Sequence, residues 1–393
     1  MKPEVSFVMP FYNNKRDLEK AIKGVLDNTT DSTEAELILV DDGSEDGSIR
    51  IAQYYTEKYD FIKLLVNEEN LGPAKALKKA LQFATGEIII FTAADDISFK
   101  NRTSEVVNIF REYEDVGIVV SEAEIINEAD LPTGEYYSLP SSLNIGNAFL
   151  YQLKRNYCLG ATMSIRNRQD LFAKENFLEL IDDYQISLDY LLAGWKIYPL
   201  KEVLLQYRVH NQSVSSRKKD LHLKTLSTLT QYAAEKIDKV LISSGVLKDE
   251  ASLALGIFEL FKGNRAKAEN YFNRIDVLSN TLDRQSRVEY YFYQGIFKYE
   301  RNEIGEALKD WKEVLRLQPN NFVVLNNLGV LLLSTDKGEA ERLIKEACDL
   351  NPSYLDGHTN LKMITNDLAG ELLITQRLLS NSLIKRNNYL KES

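Results

Sequence analysis

The sequence is poor in cysteine, in long apolar runs and in net positive charge. Its 393 residues hold two cysteines, Cys158 and Cys348, far apart in the chain, which supports neither a disulfide framework nor a thiolate metal site. No apolar stretch approaches the roughly 18 residues that a membrane-crossing helix needs. The opening Met1-Lys2-Pro3-Glu4 runs straight into a strand-like segment, so an intracellular chain without a signal peptide is expected. Lysine and arginine number 48 against 58 aspartates and glutamates, a net charge of −10, which leaves no broad basic footprint for nucleic acid. The local exception, Arg217-Lys218-Lys219, reads as a solvated loop. What is present, 44% hydrophobic and 27% charged residues, is the composition of a folded protein long enough for two or three domains.

The first half is organised around residues 86–96. Ile88 to Thr92 is an unbroken apolar or β-favouring run after Gly86, the pattern of a strand buried on both faces of a parallel sheet, and it ends in Asp95-Asp96. Ligands of open α/β sheets collect beyond the carboxyl ends of strands, so these acids stand where a metal-bound diphosphate would sit; taken as an isolated pair they equally read as caps of the following helix. Residues 5–10 predict a first strand that Pro10 ends, followed by a helix carrying Leu18, Ile22, Val25 and Leu26 on one face. Residues 37–40 predict a second strand, again finishing in an acidic pair, Asp41-Asp42, before a turn-rich loop and a helix over 49–59. A strand over 61–66 and a helix over 72–84 complete a β-α-β-α-β-α-β alternation, which is a parallel doubly wound sheet. Further on, 117–126 predicts a strand, 131–140 a loop and 159–164 a strand with Gly160 as a packing glycine. Asp182-Asp183 caps a helix over 186–193.

These motifs, in this order, resemble the nucleotide-sugar half of a family 2 glycosyltransferase of the GT-A fold. The resemblance is carried by residues 5–13, by Leu39-Val40-Asp41-Asp42-Gly43-Ser44 with Asp46-Gly47-Ser48, by Asn70-Leu71-Gly72, and by the strand ending at Asp96. It continues through Asp182-Asp183-Tyr184, Tyr207-Arg208-Val209-His210 and Ser213-Val214-Ser215.

The resemblance implies a metal-dependent inverting transferase using a UDP-sugar. Breaking the sugar–diphosphate bond builds charge on the leaving group, which a divalent cation, Mn2+ or Mg2+, neutralises without proton transfer. Asp95 is the implied ligand, with His210 completing the site and Asp96 as a supporting group or sugar contact. The first acid of the commonest Asp-x-Asp form is Ala93 here. Asp42, with Asp41 as the alternative, is implied to accept from the uracil N–H, and Pro10 and Tyr12 to pack against the base. Asn70 and Gly72 belong to the donor loop. The family's arginine falls at Leu77, flanked by Lys75 and Lys78, and Lys75 is the phosphate-contacting candidate, equally readable as a solvated lysine. Asp183 is the implied general base, with Asp182 as fallback. One displacement without a covalent nucleophile inverts the anomeric carbon.

After Ser216 helical periodicity replaces strands. Leu255-Gly256, Gln294-Gly295 and Leu328-Gly329 recur, followed by Ala268, Ala307 and Ala340 and then Phe272, Trp311 and Ile344; Pro319 and Pro352 close the last two units. This resembles tetratricopeptide repeats. The expected fold is an α/β domain with a Rossmann-like, mostly parallel sheet, followed by an all-α repeat domain. The expected boundaries are 1–216, a helical linker over 217–248, and 249–393. The repeats imply a glycan or polypeptide acceptor, a protein partner, or a homodimer. A cytoplasmic chain, peripheral at the inner face of a membrane, is expected. Two other readings are a catalytically inert scaffold, favoured by Ala93 and Leu77, and a nucleotidyltransferase, for which residues 11–15 make a poor phosphate loop.

Overall fold

The computed structural model describes residues 3–29, 34–173, 182–209, 226–279, 281–366, 370 and 372–378. The chain divides into two compact units, the first ending at Ala233 and the second beginning at Ala234. In the first unit the strands are β1 (Val5–Phe11), β2 (Ala35–Asp41), β3 (Ile62–Val66), β4 (Ile88–Phe91), β5 (Ile97–Ser98), β6 (Val116–Ile126), β7 (Pro132–Tyr137), β8 (Met163–Arg166) and β9 (Lys196–Arg208). The helices are α1 (Leu18–Leu26), α2 (Ser48–Lys58), α3 (Pro73–Phe83), α4 (Arg102–Glu112), α5 (Ala148–Lys154), α6 (Gln169–Phe172) and α7 (Asp182–Leu192).

Alternate residues of the central strands feed two different cores, which is why these strands read as continuous apolar runs. Val5, Phe7 and Met9 of β1, Leu37 and Leu39 of β2, and Ile88 and Ile90 of β4 pack with α1, α2 and α4. Val8, Ile38, Val40, Ile89 and Phe91 face the other way, onto Ala76, Leu77, Ala80 and Leu81 of α3 and Ile186 and Tyr190 of α7. The strand order is β3-β2-β1-β4-β8-β6-β9-β5, with β7 paired to β6. The first four are parallel; beyond β4 the sheet is mixed, because β8 runs antiparallel to both β4 and β6. The chain leaves β1 to build β2 and β3 on one side, then returns to place β4 on the other. In sheets with such a reversal, ligands bind beyond the carboxyl ends of the two strands that flank it, here β1 and β4.

Three local expectations need correction. Pro10 does not end β1, which continues to Phe11. Pairing with β4 stops at Val8 while pairing with β2 runs on, and the main chain at Pro10 points to the β4 side, so its missing N–H costs no ladder bond. Residues 132–137 form a strand, β7, and not a loop; Pro132 starts it at a free sheet edge where proline is tolerated. Gly160 lies in a 3-10 turn, Gly160–Thr162, ahead of β8. Part of the expected linker helix, residues 221–225, lies outside the described residues, as does His210.

The second unit is helical: α8 (Ala234–Ser243), α9 (Lys248–Phe261), α10 (Arg265–Phe272), α11 (Arg284–Glu300), α12 (Ile304–Leu317), α13 (Phe322–Leu332), α14 (Lys337–Leu350) and α15 (Leu355–Thr365). Three successive hairpins, α9/α10, α11/α12 and α13/α14, share one contact. A Cβ on Gly256, Gly295 or Gly329 would lie 2.7, 2.2 or 2.5 Å from Phe272, Trp311 or Ile344 respectively. The absent side chain in the first helix is what admits the large one from the second. Ala268, Ala307 and Ala340 are fully buried at the same crossings. Asp283, Asn321 and Asp336 cap α11, α13 and α14 by accepting from the main-chain N–H three residues on. Among the described residues no helix is long and apolar enough to cross a membrane.

Candidate active site

The loops leaving β1 and β2 are stitched together. Asn13, with φ of 53°, donates its N–H to Ser44 Oγ at 2.9 Å and accepts from Glu45 N at 2.9 Å through Oδ1. Lys15 N donates to Asp46 Oδ2 at 2.9 Å. Tyr12 is 43% exposed and follows Phe11 and half-buried Pro10.

Asp41 and Asp42 are both buried. Asp41 Oδ1 accepts from Ser44 N at 2.9 Å and so holds its own loop. Asp42 organises the loop between β3 and α3. Its Oδ1 accepts from Asn67 Nδ2 at 2.8 Å and Leu71 N at 3.0 Å, and its Oδ2 from Gly72 N at 2.8 Å. A carboxylate has about four acceptor sites, so three are engaged by the protein. Gly72 takes a φ of 89° that favours glycine, and Asn70 Oδ1 also accepts from its N–H at 3.0 Å. The sequence did not single out Asn67, whose Oδ1 accepts from Lys79 Nζ at 2.7 Å. Lys79, which also donates to Val66 O at 2.8 Å, is the α3 lysine bonded into this loop. Lys75 is exposed, and Leu77 is a core residue.

At the end of β4 the two acids part company. Asp96 turns inward and is 6% exposed; Oδ1 accepts from Arg208 N at 2.8 Å, while its Oδ2 has no hydrogen-bond partner among the described residues. Burial, then the neighbouring Asp95 charge, push the Asp96 carboxyl well above the ordinary carboxylate range, against the pull of the Arg208 N–H and of the Arg102 and Arg208 guanidinium groups. Arg102 is buried beside it and donates to Phe91 O at 2.9 Å and Ala161 O at 2.7 Å; burial lowers its pKa to about 10. Arg208, also buried, donates from Nε to Asp95 O at 2.9 Å and from Nη1 to Asn127 O at 2.9 Å. Asp95 remains partly exposed at the strand end. Asp96 thus anchors the strand end from within the protein.

Divalent cations that travel with diphosphates take one or two carboxylates, completed by phosphate oxygens and water. Asp95, with the partnerless Asp96 Oδ2 buried beside it, fits that sparse donor set. Among the described residues no group of three or more His, Cys, Asp or Glu side chains is gathered into a cage.

Asp183 lies in the first turn of α7, where the helix N-terminus favours negative charge. Asn156 Nδ2 donates to its Oδ1 at 3.0 Å. The Asn156 amide is oriented from behind, since its Oδ1 accepts from Gln152 Nε2 at 2.8 Å and Cys158 N at 3.1 Å. Burial, then the charge of Asp183, raise the Cys158 thiol well above its ordinary value. The Asp182 side chain lies outside the described residues.

Residues 6–166 match the family model described as Glycosyl transferase family 2. Over this stretch the chain is similar to family 2 glycosyltransferases. It is 29% identical over 218 residues to the protein named for teichuronic acid biosynthesis, glycosyltransferase TuaG of Bacillus subtilis (strain 168), covering 55% of this chain and 83% of that one. It is 26% identical over 246 residues to glycosyltransferase GlyG of Streptococcus pneumoniae serotype 4, covering 56% of this chain and 76% of that one. In fold it resembles the crystal structure of S. aureus TarS 1-349 in complex with UDP-GlcNAc, with a TM-score of 0.51 and 16% identity over 91% of this chain and 92% of that chain. The mixed sheet followed by helices is thus a GT-A fold with a helical extension, and the enzyme is a glycosyltransferase.

Proposed function

We propose that this glycosyltransferase moves a sugar from a UDP-sugar to a hydroxyl of a glycan or polypeptide, with inversion at the anomeric carbon. The observation that carries the reading is Asp95 at the carboxyl end of β4, beside the strand-order reversal of a domain similar to family 2 glycosyltransferases. Pro10 and Tyr12 pack against the uracil, and the remaining acceptor site of Asp42, or the carboxylate of Asp41, takes its N–H. The loop of Asn70 and Gly72 follows the ribose and phosphates, with Lys75 contributing charge. Asp95 and His210 hold the divalent metal, which when bound neutralises charge on the departing diphosphate. Asp183, with Asp182 alongside, accepts the proton of the acceptor hydroxyl as that oxygen bonds to the anomeric carbon, and the electron pair of the broken C–O bond leaves with UDP. Asp96 positions Asp95 without meeting the sugar.

The helical unit, in this reading, is a tetratricopeptide-like array over residues 249–393 joined by a linker over 217–248 to a catalytic domain over 1–216. It holds the acceptor, a protein partner or a second copy. The enzyme works in the cytoplasm, at the inner face of a membrane where glycan acceptors assemble. Calorimetric titration of UDP, with and without Mn2+, into wild type and Asp95→Ala tests the core of this reading. Metal-dependent binding that the variant loses is the expected result; no binding of UDP to wild type under either condition overturns the donor assignment.

A further inference from the structure

In the helical unit, three asparagines hold a stretch of main chain as a neighbouring β-strand would. Asn360 of α15 accepts from Leu373 N at 2.7 Å and donates to Leu373 O at 2.8 Å. Asn327 of α13 does the same two residues on, accepting from Thr375 N at 2.9 Å and donating to Thr375 O at 3.0 Å. Asn326 adds a bond to Leu373 O at 3.1 Å and accepts from Asn360 Nδ2 at 2.8 Å. A carboxamide offers the same donor and acceptor as a peptide group, and in an extended chain residues i and i+2 present their N–H and C=O to the same side. Two carboxamides spaced to meet residues i and i+2 are therefore a reader of extended backbone, indifferent to most side chains.

All three asparagines are fully buried. Lifting residues 373–375 away would strip Asn327 of both main-chain partners and Asn360 of most of its bonds, a costly state for buried amides. Side chains add selectivity at one position. The Thr375 hydroxyl donates to Asp356 Oδ2 at 2.6 Å and bonds the Tyr354 hydroxyl, while Ile374 and Leu378 pack on the apolar core and Arg377 lies over the Phe261 ring at 4.8 Å.

We propose that this groove is a binding site for an extended polypeptide with threonine or serine at the Thr375 position, and that the chain's own residues 372–378 occupy it until such a polypeptide displaces them. The site reads main-chain amides, which polypeptides have. It rests on the helical unit alone and stands apart from the donor chemistry proposed above.

The test uses the full chain and a fluorescein-labelled peptide of the sequence of residues 372–378, followed by anisotropy. In Thr375→Pro the tethered segment loses the N–H that Asn327 accepts and the hydroxyl that Asp356 accepts. Removing a tethered competitor raises apparent affinity for the free peptide by about tenfold or more, and Asn327→Ala added to Thr375→Pro takes that gain away. A control peptide with proline in place of the threonine binds neither protein. If Thr375→Pro keeps its helical circular dichroism yet binds no tighter than wild type, or if Asn327→Ala changes nothing, the proposal fails. Should Thr375→Pro not fold, hydrogen exchange on wild type decides. Excess peptide accelerates exchange of the Leu373 and Thr375 amides if it displaces the segment, and unchanged exchange at saturating peptide overturns the proposal.

Discussion

The main-chain N–H of Arg208, at the end of β9, meets the Asp96 carboxylate 2.8 Å away at the end of β4. The same arginine fastens the Asp95 carbonyl through its Nε. One residue thus fixes the backbone on which the candidate metal ligand stands. Asp96→Ala leaves the buried Arg208 N–H without its acceptor, so it lowers stability by about 1–3 kcal/mol. Denaturant unfolding of Asp96→Ala beside Asp95→Ala checks this. The expected result is a lower midpoint for Asp96→Ala alone, and equal midpoints would contradict the anchoring role.

Much of this edge was legible in the sequence, because an apolar run ending in acids has few other places to go in an α/β sheet. The Ile88 to Asp96 stretch and the repeated glycines of the helical unit are of that kind: pattern and packing agree over many residues. What was not legible depends on contacts between distant segments. Nothing near Asp96 in sequence says that Arg208 will bond it, and Asn67 and Lys79 look like ordinary loop and helix residues until the β3–α3 loop folds over Asp42. The prolines within 131–140 signalled a loop, and only the free edge of β6 makes a strand of residues 132–137. The asparagines of α13 and α15 carry no signal until residues 372–378 lie across them.

Asn67 offers a way to separate the two duties of Asp42. If Asp42 serves donor binding by shaping the loop through Leu71 and Gly72, then Asn67→Ala, which removes one bond to Asp42 and one of the two acceptors of Lys79, weakens UDP binding as well. The loss of one or two such bonds corresponds to about a tenfold fall in affinity, read by calorimetry. Unchanged affinity in Asn67→Ala would assign the Asp42 effect to direct contact with the base.

Asn156 is a positioning residue for Asp183. Asn156→Ala removes the donor to Asp183 Oδ1 but leaves the nucleotide loops untouched. The turnover number is expected to fall by about tenfold, well short of the roughly 10²–10⁴ of removing a general base in Asp183→Asn, with UDP affinity unchanged in both. Initial rates with a UDP-sugar, and the pH profile of each variant, provide the check. A role in packing alone would leave the profile of Asn156→Ala superimposable on that of wild type.

Acid stability depends on Glu36, at the opposite end of the sheet. Burial alone would raise its carboxyl, but Lys63, the Ser6 hydroxyl and the Thr85 N–H and hydroxyl outweigh that and hold it at about 2. A folded-state value below the ordinary one means that the unfolded chain takes up its proton first. The stabilisation is complete above an unfolded value of 4.5 and is lost as pH falls through about 2. It amounts to about 2 kcal/mol once the half-exposed Lys63 is discounted for screening. Unfolding midpoints of wild type should drop across this window more steeply than those of Glu36→Gln, and parallel curves would place acid sensitivity elsewhere.

The helical hairpins give opposite expectations for two glycines. Alanine is favoured over glycine inside a helix by about 1 kcal/mol. At Gly305 an added Cβ meets nothing within 4 Å, so Gly305→Ala should stabilise by up to that amount. At Gly295 the same methyl would lie 2.2 Å from Trp311 Nε1 and 2.5 Å from its Cδ1. The indole is fully buried and donates to Phe292 O at 3.1 Å, so it cannot retreat without breaking that bond. Overpacking of this kind costs about 1–3 kcal/mol and a lost hydrogen bond about 1 more, which together exceed the propensity gain. Urea unfolding should move the two midpoints in opposite directions. A rise for Gly295→Ala would mean that the α11/α12 crossing is looser than the Gly295–Trp311 contact requires.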